Sequence, residues 1–269
     1  MSELDSDRGL QIDLILQSLR TRYIGKELIY FESTDSTNVQ ASILGTKGAE
    51  NGTTVVTDKQ TQGKGRMGRT WISPANTNLY FSILLRPPTS PQTASWIPLV
   101  AGVALAKGIS AYTGLLAKIK WPNDLIIGKK KFGGILIETH IVSNRIHYLV
   151  LGVGINVNMT QFPEEIAPFA TSLKKELGHP CHREPLLVQL LQEIEKRLQE
   201  FYESGPEKTS GNWIQLSDTI GKEVTVTLGN QIIKGKAIDL DQHGGLILEK
   251  SDRTKTTVLT GDVIHLRNE

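Results

Sequence analysis

Apolar residues recur along this chain with two periods. Every second position is apolar in Leu79, Phe81, Ile83 and Leu85, which predicts a strand from Asn78 to Leu85 with one side buried, closed by Pro87-Pro88. A helical spacing runs through Leu187, Leu190, Leu191, Ile194, Leu198 and Phe201, which predicts an amphipathic helix from Arg183 to Tyr202, broken at Ser204-Gly205-Pro206. Ile12, Ile15, Leu16 and Leu19 mark a shorter helix from about Leu10 to Leu19. Trp96, Leu99, Val100 and Val103 mark a largely buried helix from about Ser95 to Tyr112. Pro98 fits only in its first turn, and Trp96 belongs to the core.

Shorter β-rich runs fill the rest. They are Leu28 to Phe31, Thr53 to Thr57, Leu125 to Ile127, Lys131 to Glu138 and Tyr148 to Val153. Gly128-Lys129 and Ser143-Asn144 read as turns, so the last three runs form an antiparallel part of a mixed sheet. Paired glycines inside these runs signal close approach of a ligand or another backbone. Asn158 to Thr171 reads as a loop. Beyond Trp213 the pattern shifts to short strands: Val224 to Leu228, Ile232 to Ile238, Leu246 to Glu249 and Thr256 to Leu259, with a turn at Gly229-Asn230. That predicts two domains, residues 1–216 and a small all-β, barrel-like domain at 217–269.

Composition narrows the class. At 39% hydrophobic and 22% charged, the chain is an ordinary globular one. A net charge of +2 is too small to make nucleic acid the main partner. No apolar run reaches membrane-spanning length and no signal peptide is visible. Cys181 is the single cysteine, which excludes an intrachain disulfide and predicts a cytoplasmic protein. His179 and His182 flank it without a second ligand pair, so it reads as an ordinary thiol.

The most unusual stretch is Gly63-Lys64-Gly65-Arg66-Met67-Gly68-Arg69-Thr70-Trp71. Glycines let backbone N–H groups approach a ligand. Lys64, Arg66 and Arg69 can hold anionic oxygens, and Trp71 offers a flat face. No Asp or Glu occurs between Asp58 and Asp124. The glycines match a dinucleotide-binding pattern, but Trp71-Ile72-Ser73-Pro74 is no helix start and Asp124 comes far too late for the acidic partner. A loop closing over a phosphate ligand and a solvated basic loop fit the residues about equally.

Three further polar segments accompany this loop. Ser36-Thr37-Asn38 precedes an apolar face made by Val39, Ile43 and Leu44. It can serve as helix caps or line a pocket at a helix start, and spacing does not separate the two. Lys120-Trp121-Pro122-Asn123-Asp124 can orient a phosphate group or hold Mg²⁺. Lys131, beside Gly133 and Gly134, can reach a carboxylate or phosphate. The mixture suits a pocket where an acid meets a nucleotide.

Together with Gly152-Val153-Gly154-Ile155-Asn156, these segments closely resemble biotin protein ligases, the biotin–[acetyl-CoA-carboxylase] ligases. The likeness runs from about Ser33 to the C-terminus. It implies an α+β fold: a mixed β-sheet flanked by helices, of the class II aminoacyl-tRNA synthetase type, followed by an SH3-like β-barrel. It implies that biotin and ATP are the substrates, with Mg²⁺ entering as the ATP complex and no tightly bound cofactor. The acceptor would be a lysine of the biotin carboxyl carrier protein of acetyl-CoA carboxylase. By the same likeness, Ser36, Thr37, Asn38 and Gln60 should bond the ureido ring. Lys64, Gly65, Arg66 and Gly133 should complete the biotin site. Arg66 and Lys131 should serve the reacting carboxylate and α-phosphate. Arg69, Trp71, Lys120, Asn123, Asp124 and Asn156 should hold the nucleotide, Trp71 by stacking on adenine, with Asp124 the candidate metal ligand. Lys64 departs from relatives that carry Arg, and lysine lacks the planar fork.

Two rivals remain. A lipoate or octanoate ligase of the same superfamily would need no polar groups for a ureido ring. A non-enzymatic nucleotide-binding or carrier-binding module would need no cations at an acid–phosphate junction. The resemblance also bears on DNA. Some relatives carry an N-terminal helix-turn-helix domain, which needs at least ~50 residues, whereas Ser36 already belongs to the site. The expectation is a monomer or weak homodimer that binds neither nucleic acid nor membrane.

Overall fold

The structure, a computed structural model, describes residues 8–88, 91–143, 145–229, 231–259 and 261–265; the predicted turn residues Asn144 and Asn230 lie outside these. In chain order the elements are α1 (Ile12–Ser18), β1 (Leu28–Thr34), α2 (Thr37–Thr46), β2 (Thr54–Gln60), β3 (Leu79–Leu85), α3 (Pro91–Ala94), α4 (Ile97–Thr113), β4 (Ala117–Lys120), β5 (Asp124–Ile127), β6 (Lys130–Val142) and β7 (Arg145–Ile155). Then come α5 (Leu173–Leu177), α6 (Arg183–Ser204), α7 (Pro206–Leu216), β8 (Glu223–Leu228), β9 (Gln231–Leu240), β10 (Leu246–Glu249), β11 (Lys255–Val258) and β12 (Asp262–His265).

The first seven strands form one mixed sheet in the order β1-β2-β3-β7-β6-β5-β4. Only β1 and β2 run parallel, joined through α2; the other neighbours are antiparallel. The last five strands form an antiparallel sheet in the order β11-β10-β9-β8-β12. The α+β class, with helices flanking the main sheet, is thus the observed architecture.

One face of the main sheet is apolar by simple alternation. Phe81, Ile83, Leu149, Leu151, Val153, Ile155 and Ile135 point into a core that also takes Val100, Ala104, Leu187 and Leu190 from α4 and α6. α4 is buried almost throughout, with Pro98 in its first turn as its sequence required. α6 turns its Leu-rich stripe inward, and Gly205, at φ 78°, ends it in a conformation glycine adopts easily. The same core continues into the second sheet through Trp213, Val224, Val226 and Leu248.

The opposite face differs from the sequence expectation for β3. All seven of its residues are buried, not only the alternate ones. The reason is α2, which lies across this face and packs Ala41 against Val55, Leu84, Tyr148 and Val150. Three elements had no clear apolar period: α5 is five residues long, β12 only four, and α7 buries just Thr209 and Trp213.

Candidate active site

The α2 side of the sheet carries a floor in which glycines replace side chains at three positions. Across the strands, Tyr80 pairs with Gly154, Gly154 with Gly134, Gly134 with Asp124, and Asp124 with Lys120. Residues opposite one another in a ladder share a face, so these five form one row. The next row is Ser82, Gly152 and Leu136. Three glycines therefore open a trough in an otherwise filled surface. Gly133 turns the other way. A Cβ there would meet Ile155 Cδ1 at 2.7 Å and Leu125 Cδ1 at 3.1 Å, so its bareness serves the core face, and Gly134 is the glycine of the trough.

Asn38 occupies the Gly152 end. A Cβ on Gly152 would lie 1.9 Å from Asn38 Oδ1, so the amide rests on bare backbone. Ser82 Oγ is 2.7 Å from Asn38 Oδ1 and 2.8 Å from Thr37 Oγ1, and Asn38 Nδ2 donates to Glu138 Oε2 at 2.7 Å. Gln60, at the end of β2, accepts from the Thr37 N–H at 2.9 Å and donates from Nε2 to Ser73 at 3.0 Å. The two open readings of this segment now separate. Ser36 is the N-cap residue of α2, yet its side chain caps no backbone N–H; Thr37 and Asn38 bond across the trough instead. Beside them Asp35 accepts from the Ser36 N–H and from Gln40 and Thr34. Burial raises its pKa, but those hydrogen bonds outweigh burial and hold it below the ordinary carboxylate range. A cleft of about 320 Å³ opens next to this cluster, between Asn38 and Ser42 of α2 and Glu138 and His140 of β6.

Trp71 covers the Gly154 end. A Cβ on Gly154 would lie 2.5 Å from Trp71 Nε1, and one on Gly134 would lie 3.4 Å from its Cζ3. Lys131 Nζ stands 5.3 Å from the indole centroid and 2.6 Å from Asp124 Oδ1. A bulge puts it there. Leu125 pairs with Gly133 and Ile126 with Lys131, so Phe132 is the extra residue. Phe132 enters the core while Lys131 is re-aimed at the trough.

The glycine loop folds back on itself above both ends. Lys64 bridges Thr70, the Gly65 N–H donates to Arg69 O at 2.7 Å, and the Trp71 N–H donates to Gly63 O at 2.9 Å. Gly63 has no room for a side chain, since a Cβ would lie 2.3 Å from Trp71 O. Arg66 Nη1 reaches Asn123 Oδ1 at 3.2 Å and the Gly261 carbonyl of the C-terminal unit at 3.3 Å. Lys64 Nζ lies 3.9 Å from Glu138 Oε1. Arg69 points to Met67 Sδ at 3.8 Å.

The predicted residues thus gather at one trough, with two exceptions, Gly133 on the core face and Asn156. Asn156 is buried; its Nδ2 donates to Thr171 O, and its carbonyl accepts from Leu173. Thr171 in turn donates its N–H to Lys131 O, so Asn156 braces Lys131 from behind. Among the described residues no three His, Cys, Asp or Glu side chains converge as a metal cluster, and Asp124 is already ion-paired. Ser82 and Glu138 were not singled out from sequence. A serine inside an apolar strand was the available signal for Ser82; nothing marked Glu138.

Residues 30–156 match the biotin/lipoate A/B protein ligase family, and residues 219–266 match the biotin protein ligase C terminal domain. The chain is 36% identical to the biotin–[acetyl-CoA-carboxylase] ligase of Mycobacterium tuberculosis, over 98% of this chain and 99% of that one. It is also 36% identical to the bifunctional ligase/repressor BirA of Bacillus spizizenii, over 88% of this chain and 74% of the relative. Among solved structures it is similar to the Aquifex aeolicus biotin protein ligase in complex with biotin and ATP: TM-score 0.78, 32% identity, 90% of this chain and 100% of that one.

Proposed function

The chain belongs to the biotin protein ligase family, and on that premise we propose how its trough divides the work of the reaction. The enzyme activates biotin with ATP and passes it to a lysine of an acceptor protein. The proposed acceptor is the biotin carboxyl carrier protein of acetyl-CoA carboxylase. In the first step the biotin carboxylate attacks the α-phosphorus, pyrophosphate leaves, and a mixed anhydride forms. In the second the lysine amine attacks the acyl carbon, and AMP leaves.

The observation that carries this assignment is the two-row floor under a single cationic loop. Polar donors stand at one end (Thr37, Asn38 and Gln60), and the Lys131–Asp124 pair with Trp71 stands at the other. A cyclic urea has one carbonyl oxygen and two N–H groups, and the Asn38 end offers partners for both. The carboxylate then lies toward Lys131. Adenylation spreads negative charge over the α-phosphate oxygens, and fixed cations stabilise that charge. Lys131 and Arg66 supply it here. Asp124 holds the Lys131 ammonium in place, and Lys120 and Arg69 face the remaining phosphates, with Mg²⁺ arriving on ATP. Trp71 offers its outer face to adenine. The loop from Gly63 to Trp71 shields the anhydride from water until the amine arrives.

ATP–pyrophosphate exchange tests the reading. Exchange should depend on biotin, should fail with lipoate in its place, and should be followed by labelling of a carrier lysine. Exchange that runs on lipoate and ignores biotin would overturn it.

A further inference from the structure

We propose that Glu138 is a positioning residue for the acid end of the site, fixing which way round the Asn38 amide stands; the proposal rests on the biotin-ligase reading above. An asparagine amide has an acceptor end and a donor end that are nearly the same shape, so its orientation is set by its neighbours. Here the neighbours differ in kind. Glu138 Oε2, 2.7 Å from Nδ2, is a carboxylate oxygen and can only accept. Ser82 Oγ, 2.7 Å from Oδ1 on the other side, can donate. The carboxylate therefore forces the NH₂ group toward β6 and leaves the oxygen over Gly152.

Two consequences follow for a ligand. One hydrogen of Nδ2 is spent on Glu138, and the other remains to donate into the trough. A flipped amide would offer an oxygen there instead and would repel a urea carbonyl. Sequence cannot reveal this link, because Asn38 and Glu138 are 100 residues apart. The same carboxylate lies 3.9 Å from Lys64, so its second oxygen draws the glycine loop toward the Asn38 end. That pair is long and nearly half exposed and adds little, so the effect of Glu138 runs through Asn38.

The test measures biotin and ATP KM separately for full-length Glu138→Ala and Glu138→Gln, with biotin-dependent ATP–pyrophosphate exchange as the readout. A charge-assisted hydrogen bond is lost in the alanine variant, so its biotin KM should rise about tenfold while its ATP KM stays within about twofold of the parent. Glu138→Gln still offers Asn38 an acceptor and should fall between parent and alanine. In an Asn38→Ala background, adding Glu138→Ala should leave biotin KM nearly unmoved, because the group it orients is gone. An unchanged biotin KM in Glu138→Ala, equal rises in both KM values, or additive effects in the double variant would overturn the proposal. If the parent enzyme shows no biotin-dependent exchange, the functional reading itself has failed, which is a separate result.

Discussion

The two faces of the central sheet are built from the same seven strands and obey opposite rules. On the α4 side, odd-numbered positions of β3 and β7 carry Phe81, Ile83, Leu149, Leu151, Val153 and Ile155, all packed into one core. On the α2 side, the even-numbered positions near the site are Tyr80, Ser82, Gly152 and Gly154, and a trough replaces the packing. One face fills space with its own side chains, the other leaves backbone bare at chosen points so that Asn38 from α2 and Trp71 from the glycine loop can lie on it. The lesson is that substitutions one residue apart should have different kinds of effect. Stability should respond on one face, and substrate handling on the other.

Leu151→Ala should show the largest effect and should show it as stability. Leu151 is fully buried, and such truncations cost about 2–5 kcal/mol. Denaturant midpoints would fall, while biotin and ATP KM measured on the folded enzyme would stay near those of the parent. A kinetic defect without loss of stability would blur the distinction between the faces. Three positions along the same strand, Gly154→Val should reverse the pattern. Its side chain would collide with Trp71, whose Nε1 is only 2.5 Å from the Cβ position. Exchange activity should drop at least ~100-fold, or about 2.7 kcal/mol of transition-state stabilisation, with a smaller stability loss than Leu151→Ala. Normal ATP kinetics in that variant would remove Trp71 and the glycine row from the nucleotide end.

This contrast also explains what could be read in advance. The filled face was legible because alternation in Leu79 to Leu85 and helical spacing in Leu187 to Phe201 are local signals, and burial follows them directly. The motif residues of the trough were named through resemblance, and all but Gly133 and Asn156 lie around it. What escaped was set by distance or by an added residue. β3 looked half-buried because nothing in its own seven residues announces α2 on its second face. The bulge at Phe132 that aims Lys131 inward depends on how β5 registers against β6. Gly133 and Gly134 are indistinguishable as letters, yet they serve opposite faces. Ser82 and Glu138 both meet Asn38, which comes from a helix distant in sequence.

Ser82→Ala sharpens the comparison at smaller amplitude, since it changes the site face without adding bulk. It strips the hydroxyl that reaches both Thr37 and Asn38 in a fully buried position. A buried polar partner left unsatisfied costs about 1–3 kcal/mol. Part of that should appear as a biotin KM raised several-fold, with ATP KM unaffected. Stability loss alone, with unchanged biotin KM, would assign Ser82 to the filled face in all but position.

The smallest effect concerns protons, and it again separates the two sides. Behind the α4 face burial acts alone and pushes the Cys181 thiol up to about 11. At the rim of the trough, burial of Asp35 is outweighed by hydrogen bonds from Gln40, the Ser36 N–H and Thr34, and its carboxyl sits below the ordinary range. A depressed folded pKa means that Asp35 contributes stability above its unfolded value, near ~3.9, and loses that contribution as pH falls through the folded value. The stability difference between the parent and Asp35→Asn should therefore hold steady from neutral pH down to about 5 and shrink below about 4. Because the group is partly exposed the change will be slight, but its sign is fixed. A difference that widens on acidification would mean that desolvation governs Asp35 as it governs Cys181, and the electrostatic half of the contrast between the faces would be lost.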